Sequence, residues 1–479
     1  MSELNSKIVK ATKWSSITEI VAKLITPITS IILARLLTPE AFGVVTTLTM
    51  VITFAEIFTD AGFQKYLIQH EFVDDTDREQ STNVAFWSNL IMSLAIWGII
   101  AVFADPLAAM VGNPGLGHVL VIACVSIPLA AFSSIQMALY KRDLDFKTLF
   151  KVRIVGICIP LLVTVPLAVY LRSYWALVIG TIVSNAANAI LLTAYSKWKP
   201  RFYYSFLKLK EMFSFSAWSV VEAVSIWLTG YVDVFIIGVY LNEYYLGLYK
   251  TSMTVVGQIM GLITAATTPI LFSSLSRLQT DEQAFQTLFF KFQKLVGLLV
   301  IPLGVGIYCY SDLVTQILLG DQWLEASSFI GLWGLTSAIT IVLSHYSSEV
   351  YRAKGRPKLS VLAQVLHLII LWPAVLIAVK FGFETLAVTR ALVRLELILV
   401  NLIIMYVVVK VSPWKMFKNV FHSVFASLIM AVVAMLLKDL SISIVWQFAS
   451  IILCALVYFA VIIIVPANRE ILKSLIKRN

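Results

Sequence analysis

The stretch TEIVAKLITPITSIILARLL, Thr18–Leu37, decides how the rest of the chain is read. Its apolar residues lie on every side of a helical projection, and about 20 such residues cross the hydrocarbon of a bilayer. Yet it carries Glu19, Lys23 and Arg35, with Pro27 between them. An ionised group at the centre of a spanning helix costs about 2.5–3.5 kcal/mol on insertion scales, so such groups face a protein interior, pair, or line water. Glu19 and Lys23 are spaced i,i+4 with the acid first, the favourable order for a helical ion pair. The expectation is that Glu19 offsets Lys23 and that Thr26, Pro27 and Ser30 continue the same face. Pro27 removes one helical donor, which frees a carbonyl and lets the span bend.

The whole chain supports that reading. Of 479 residues, 59% are hydrophobic and 13% charged, and the mean hydropathy is +0.88. Soluble domains carry about 25% charged residues. A net charge of +10 in a soluble protein would point to nucleic acid. In this composition it points to basic loops facing an anionic leaflet, with no nucleic acid as partner. Cys124, Cys158, Cys309 and Cys454 lie in apolar runs without a CxxC pair, and the five histidines show no ligand spacing, so no metal is expected. Glu19 and Lys23 interrupt the apolar core that a cleavable signal would need.

Fourteen spanning segments follow: 14–36, 41–67, 82–104, 117–139, 152–171, 175–195, 213–238, 246–272, 288–310, 327–351, 359–379, 385–409, 418–437 and 444–466. Long continuous apolar runs without alternation exclude a barrel. Counting Lys and Arg in the tails and connections places 27 on one side and only Arg172, Lys380 and Lys438 on the other. The positive-inside rule then sets both termini in the cytoplasm. Connections reach only about 20 residues, too short to hold a catalytic domain.

The sequence repeats itself at an offset of 204: Trp14-Ser15 falls on Trp218-Ser219, Leu37 on Leu241, Gly43 on Gly247 and Thr47 on Thr251. ALYKRD from Ala138 resembles EVYRAK from Glu349, and both close an even-numbered span with basic residues. The expected organisation is an N-terminal lobe at 1–200 (spans 1–6), a C-terminal lobe at 201–412 (spans 7–12), and appended spans 13–14 with a basic tail at 413–479. Six is even, so the two lobes insert the same way up, related by a pseudo-two-fold along the membrane normal with a cleft between them.

The ionisable residues left inside the spans mark the candidate site. Lys23, Arg35, Lys250, Arg390 and Arg394 are candidates for a cationic, substrate-binding cleft. Arg390 and Arg394 share one face of span 12, which Asn401 extends; Glu396 points elsewhere. Two guanidiniums side by side suit an anionic guest. Glu19, Glu56, Asp60, Glu222 and Asp233 are candidates for charge pairing or ion coupling. Glu56 and Asp60 are an i,i+4 pair of like charges, which calls for a counter-cation or a bound proton. Trp14, Trp87, Trp175 and Trp414 sit near span ends and read as interfacial anchors.

ILARLLTPEAFGVV (Ile32–Val45) followed by FAEIFTDAGF (Phe54–Phe63), and SIPLAAFSSIQMALYKRDLDFK (Ser126–Lys147), resemble polysaccharide exporters. These are the Wzx-like oligosaccharide-lipid flippases of the multidrug/oligosaccharidyl-lipid/polysaccharide exporter superfamily. The resemblance implies alternating access of two six-helix lobes in the bacterial cytoplasmic membrane. It implies an undecaprenyl-diphosphate-linked oligosaccharide as substrate, a polysaccharide polymerase and assembly proteins as partners besides membrane lipids, and a cationic cavity for the diphosphate. Lys23, Lys250, Arg390 and Arg394 are the positions onto which that cavity is carried. No Walker A motif is present, so coupling to H+ or Na+ is expected rather than ATP. A multidrug/cation antiporter of the same fold would need an acidic, aromatic cavity, for which Glu56, Asp60 and Asp233 are available; the paired arginines argue against it. A membrane glycosyltransferase or ligase would need a catalytic acidic motif in a large outer loop. The stretch near 311–326 offers only Asp312, Asp321 and Glu325.

Overall fold

Hydrocarbon offers no partner to a backbone N–H or C=O, so an apolar chain satisfies its backbone by winding into helices. The computed structural model describes residues 2–60, 62–441 and 443–464, without the side chains of 2–9, 11, 12, 16, 214–219 and 222. Fourteen of its helices are long and apolar enough to cross a membrane. Spans 1–7 are Lys13–Leu36, Pro39–Asp60, Asp75–Val102, Gly117–Arg142, Phe146–Leu171, Trp175–Tyr195 and Ala223–Tyr240. Spans 8–14 are Glu243–Arg277, Glu282–Cys309, Asp321–Ala353, Lys358–Phe381, Phe383–Val409, Pro413–Lys438 and Ile444–Ile464. The protein is an all-α, multi-pass membrane protein. Several boundaries differ from expectation by five to ten residues, and at one of them a single backbone angle is the cause. Span 2 stops at Asp60 rather than 67, because Gly62 takes a left-handed φ of 79° and Phe63–Gln69 restarts as a separate short helix.

The repeat is visible in the lengths of the elements. Helices Ser2–Leu36 and Phe206–Tyr240 are both 35 residues, displaced by 204 at each end. The next helices begin at Pro39 and Glu243, at the same offset. Helices Asp75–Val102 and Glu282–Cys309 are both 28 residues. Each starts behind an aspartate, Asp74 or Asp281, whose carboxylate accepts a backbone N–H of the first turn. By contacts, however, the chain forms two compact units, Met1–Lys250 and Thr251–Asn479, divided inside span 8.

In the first unit, Val44, Leu48 and Ile52 of span 2 pack on Leu120, Ala123 and Ile127 of span 4. The short helix buries Phe63, Tyr66 and Leu67 against Val84, Phe86, Ile135 and Ala138. In the second unit, spans 13 and 14 pack on span 9 through Leu298, Ala426, Met430, Ala434, Cys454 and Tyr458. The Tyr458 hydroxyl donates to the Leu298 carbonyl at 2.8 Å.

Each copy of the repeat carries the same kind of clamp at the end of its fourth span. A helix leaves its last carbonyls without partners. Arg142 donates to the carbonyls of Leu67, Ile68 and His70 at 2.8, 3.3 and 2.8 Å and lies 4.5 Å over the Phe72 ring. At the end of span 10, Lys354 donates to the Gln279 carbonyl at 3.2 Å and lies 4.3 Å over the Phe285 ring. Hydrogen bonds to a charged group contribute about 1.5–3 kcal/mol. Arg142→Ala should therefore lower the melting temperature of the purified protein by several degrees, whereas Lys141→Ala should not; equal melting of the two variants would contradict this.

Candidate anion-binding site

Span 12 turns Arg390 and Arg394 toward span 10. Arg390 is buried, and its guanidinium carbon lies 5.1 Å from the centre of the Trp333 ring. Arg394 lies 3.9 Å from the same ring. The negative face of an indole attracts a cation, and here one indole serves two. That attraction offsets the repulsion of two guanidiniums one turn apart. Arg394 also donates through Nη1 to Ser337 Oγ at 2.7 Å. One turn further, span 10 winds into a π-helical segment, Ile341–His345, a distortion that recurs at functional sites. Asn401 donates to Ser344 Oγ there at 2.9 Å and accepts from the Tyr351 hydroxyl at 3.0 Å. Neutral side chains thus help to hold span 12 on span 10 beside the arginines. Glu396 points to the other flank, where its Oε2 meets His367 Nδ1 of span 11 at 2.9 Å.

The first unit holds a second group. Asp233 is 2% exposed and accepts from the Tyr249 hydroxyl at 2.6 Å. In the same unit, Lys250 Nζ lies 4.8 Å from the Tyr231 ring. Tyr231 stacks on Trp227 at 5.5 Å, Trp227 meets Phe54 at 4.6 Å, and Phe54 meets Phe58 at 5.1 Å. Trp227 Nε1 is anchored on the Met50 carbonyl and Thr53 Oγ1, at 3.3 and 3.2 Å. Spans 2 and 7 therefore carry a row of four rings leading to Lys250, with Phe54 and Phe58 partly exposed. Glu56 and Asp60 lie half-buried at the Phe58 end.

Span 1 departs from its expected pairing. Glu19 is exposed, Lys23 is half-buried, and the ion pairs among the described residues do not include them. Ala22, Leu33 and Ala34 are the buried side of this helix. No dry contact forces the two charges together, and exposed pairs gain little. The helix runs through Pro27 without a break. Arg35 is exposed at the span's end. The Glu222 side chain lies outside the described residues.

Within the second unit the structure joins Arg390 and Arg394 over Trp333; within the first it sets Asp233 against Tyr249 and Lys250 over Tyr231. Sequence reasoning overlooked Trp333, Ser337, His367, Trp227 and Tyr231. Their signal was depth. Trp333 and Trp227 lie well inside spans rather than at the interface, and His367 interrupts the apolar run QVLHLIILW.

The description "Polysaccharide biosynthesis protein" matches residues 32–328 of the chain. The chain belongs to the polysaccharide biosynthesis protein family. One relative in this family, the succinoglycan biosynthesis transport protein ExoT of Rhizobium meliloti (strain 1021), is 25% identical over 64% of this chain. The match spans 62% of that relative, less than two thirds of its length. The teichuronic acid biosynthesis protein TuaB of Bacillus subtilis (strain 168) is 23% identical, over 75% of this chain and 74% of that protein. The fold of this chain is similar to that of a solved structure, the lipid II flippase MurJ in an inward closed conformation. That likeness has a TM-score of 0.75 at 15% identity and covers 95% of this chain and 99% of MurJ. The polysaccharide biosynthesis family member described here thus shares the two-lobe fold of the superfamily its first two spans resemble.

Proposed function

We propose that this protein is a flippase that carries an undecaprenyl-diphosphate-linked oligosaccharide across the bacterial cytoplasmic membrane by alternating access, for cell-surface polysaccharide synthesis. It is a transporter rather than an enzyme, as the ExoT relative is by name. The observation that carries the substrate class is the pair Arg390 and Arg394 stacked on Trp333. Planar guanidiniums grip phosphate oxygens two at a time, and a diphosphate offers several. Within the first unit, Lys23, Arg35 and Lys250 are assigned as cationic positions, and the rings Phe54, Trp227 and Tyr231 offer apolar faces to sugar C–H groups. The termini are assigned to the cytoplasm by the loop charges. A polysaccharide polymerase is the natural consumer of the product. Glu19, Glu56, Asp60, Glu222 and Asp233 are assigned to charge pairing or to H+ or Na+ coupling. The paired arginines weigh against a cationic drug as cargo.

The test is leaflet exchange of a short polyprenyl-diphosphate oligosaccharide in liposomes containing the purified protein. Exchange well above empty liposomes is expected. Trp227→Ala should slow it about fivefold, the equivalent of roughly 1 kcal/mol for one aromatic contact. Protein-containing liposomes that match empty ones, with the protein folded, would refute the flippase reading.

A further inference from the structure

Between spans 11 and 12 lies an ionisable pair that the anion-binding reading does not use. His367 is 4% exposed, and its Nδ1 is 2.9 Å from Glu396 Oε2. The other carboxylate oxygen, Oε1, is buried with no hydrogen-bond partner among the described residues. With Glu396 ionised, Nδ1 must carry the proton it shares, which leaves Nε2 as the basic atom of the ring. We infer that His367, held by Glu396, binds a proton together with the anion at Arg390 and Arg394, so that substrate binding and proton uptake favour one another. This rests on the anion-binding reading above and adds a proton site to it.

The charges around the pair set the sign. From span 12, Glu396, Arg390 and Arg394 act on His367. Span 10 contributes neutral Trp333 and Ser337, then His345, which Arg352 and Arg394 act on. In the last part of span 10, Glu349 and Arg352 are bound to each other. Lys380, in the turn that ends span 11, is exposed. His367 thus meets like charge from Arg390 and Arg394 and opposite charge from Glu396. An anion on the guanidiniums removes the opposition and leaves the carboxylate. A proton on His367 in turn adds positive charge beside the anion. Linkage makes the two effects equal, and couplings between sites run from about 5- to 150-fold. Glu56 and Asp60 need no part in it.

The experiment measures binding of farnesyl diphosphate to the full-length protein in nanodiscs between pH 8 and pH 6. Proton uptake is read calorimetrically in buffers of different ionisation enthalpy. The probe's own titration is common to every variant. Wild-type affinity should rise about tenfold more over this range than that of His367→Gln, with up to one extra proton taken up per anion. Glu396→Gln should move the rise to lower pH, and His345→Gln should leave it in place. If His367→Gln and Glu396→Gln keep the wild-type pH profile, while Arg390→Ala/Arg394→Ala loses binding, the proton site is refuted and the anion site stands. If the double arginine variant binds like wild type, both fall.

Discussion

Alanine at both Arg390 and Arg394 should slow leaflet exchange of a polyprenyl-diphosphate oligosaccharide by about 100- to 10,000-fold, the largest functional effect expected for this protein. Each charge-assisted hydrogen bond to a phosphate oxygen contributes about 1.5–3 kcal/mol, and two are removed together. Part of the loss could come from the scaffold, because Arg394 also holds Ser337 and both guanidiniums rest on Trp333. The lysine pair separates these causes. Arg390→Lys/Arg394→Lys keeps the charge and gives up the planar fork, so it should retain exchange at a level between wild type and the alanine pair. Exchange within threefold of wild type in the alanine pair, with its melting temperature unchanged, would remove the arginines from the site.

Gly43→Ala combined with Gly247→Ala should destabilise the protein clearly, by about 2–6 kcal/mol. The two glycines are repeat equivalents. A Cβ on Gly43 would overlap the carbonyl oxygen of Glu243, and a Cβ on Gly247 would overlap that of Pro39. Glu243 lies 204 residues after Pro39, as Gly247 does after Gly43, so the starts of spans 2 and 8 cross with local two-fold symmetry. Small residues let membrane helices approach this closely. Backbone cannot swing aside as a side chain does, so the crossing must open. Overpacking costs about 1–3 kcal/mol per site. The melting temperature of the double variant should fall clearly, whereas Gly98→Ala, with no atom within 4 Å of its Cβ, should leave it level. Equal melting of the two variants would mean that the crossing is looser than described.

Spans, their number and the repeat were legible because they depend on local chemistry. Hydropathy sums along the chain, and a membrane helix satisfies its own backbone. The end of span 2 was misread because one glycine angle, at Gly62, overrides an apolar pattern that runs on to residue 67. The faintness of the repeat also has a physical cause. Arg78 pairs with Asp143 at 2.8 Å where span 3 begins and span 4 ends. Where span 9 begins and span 10 ends, Glu282 pairs with Lys354 at 2.8 Å, with the signs exchanged. Coulomb attraction is indifferent to which partner carries which sign, so the contact persists while the residues diverge.

The site divides along the same line. Helical spacing places Arg390 and Arg394 on one face, and the cost of a charge in hydrocarbon marks both as belonging to the interior. Spacing cannot say what a face meets. Only the packing of span 12 between spans 10 and 11 sets Trp333 under the arginines and His367 against Glu396, and only the packing of spans 2 and 7 aligns Phe54 with Trp227. For Glu19 and Lys23 the rule of four supplied reach without contact, because that side of span 1 is not the buried one. Periodicity and the price of a buried charge thus determined which residues matter on each helix. The neighbouring helix, which no local rule specifies, decided what each of them does.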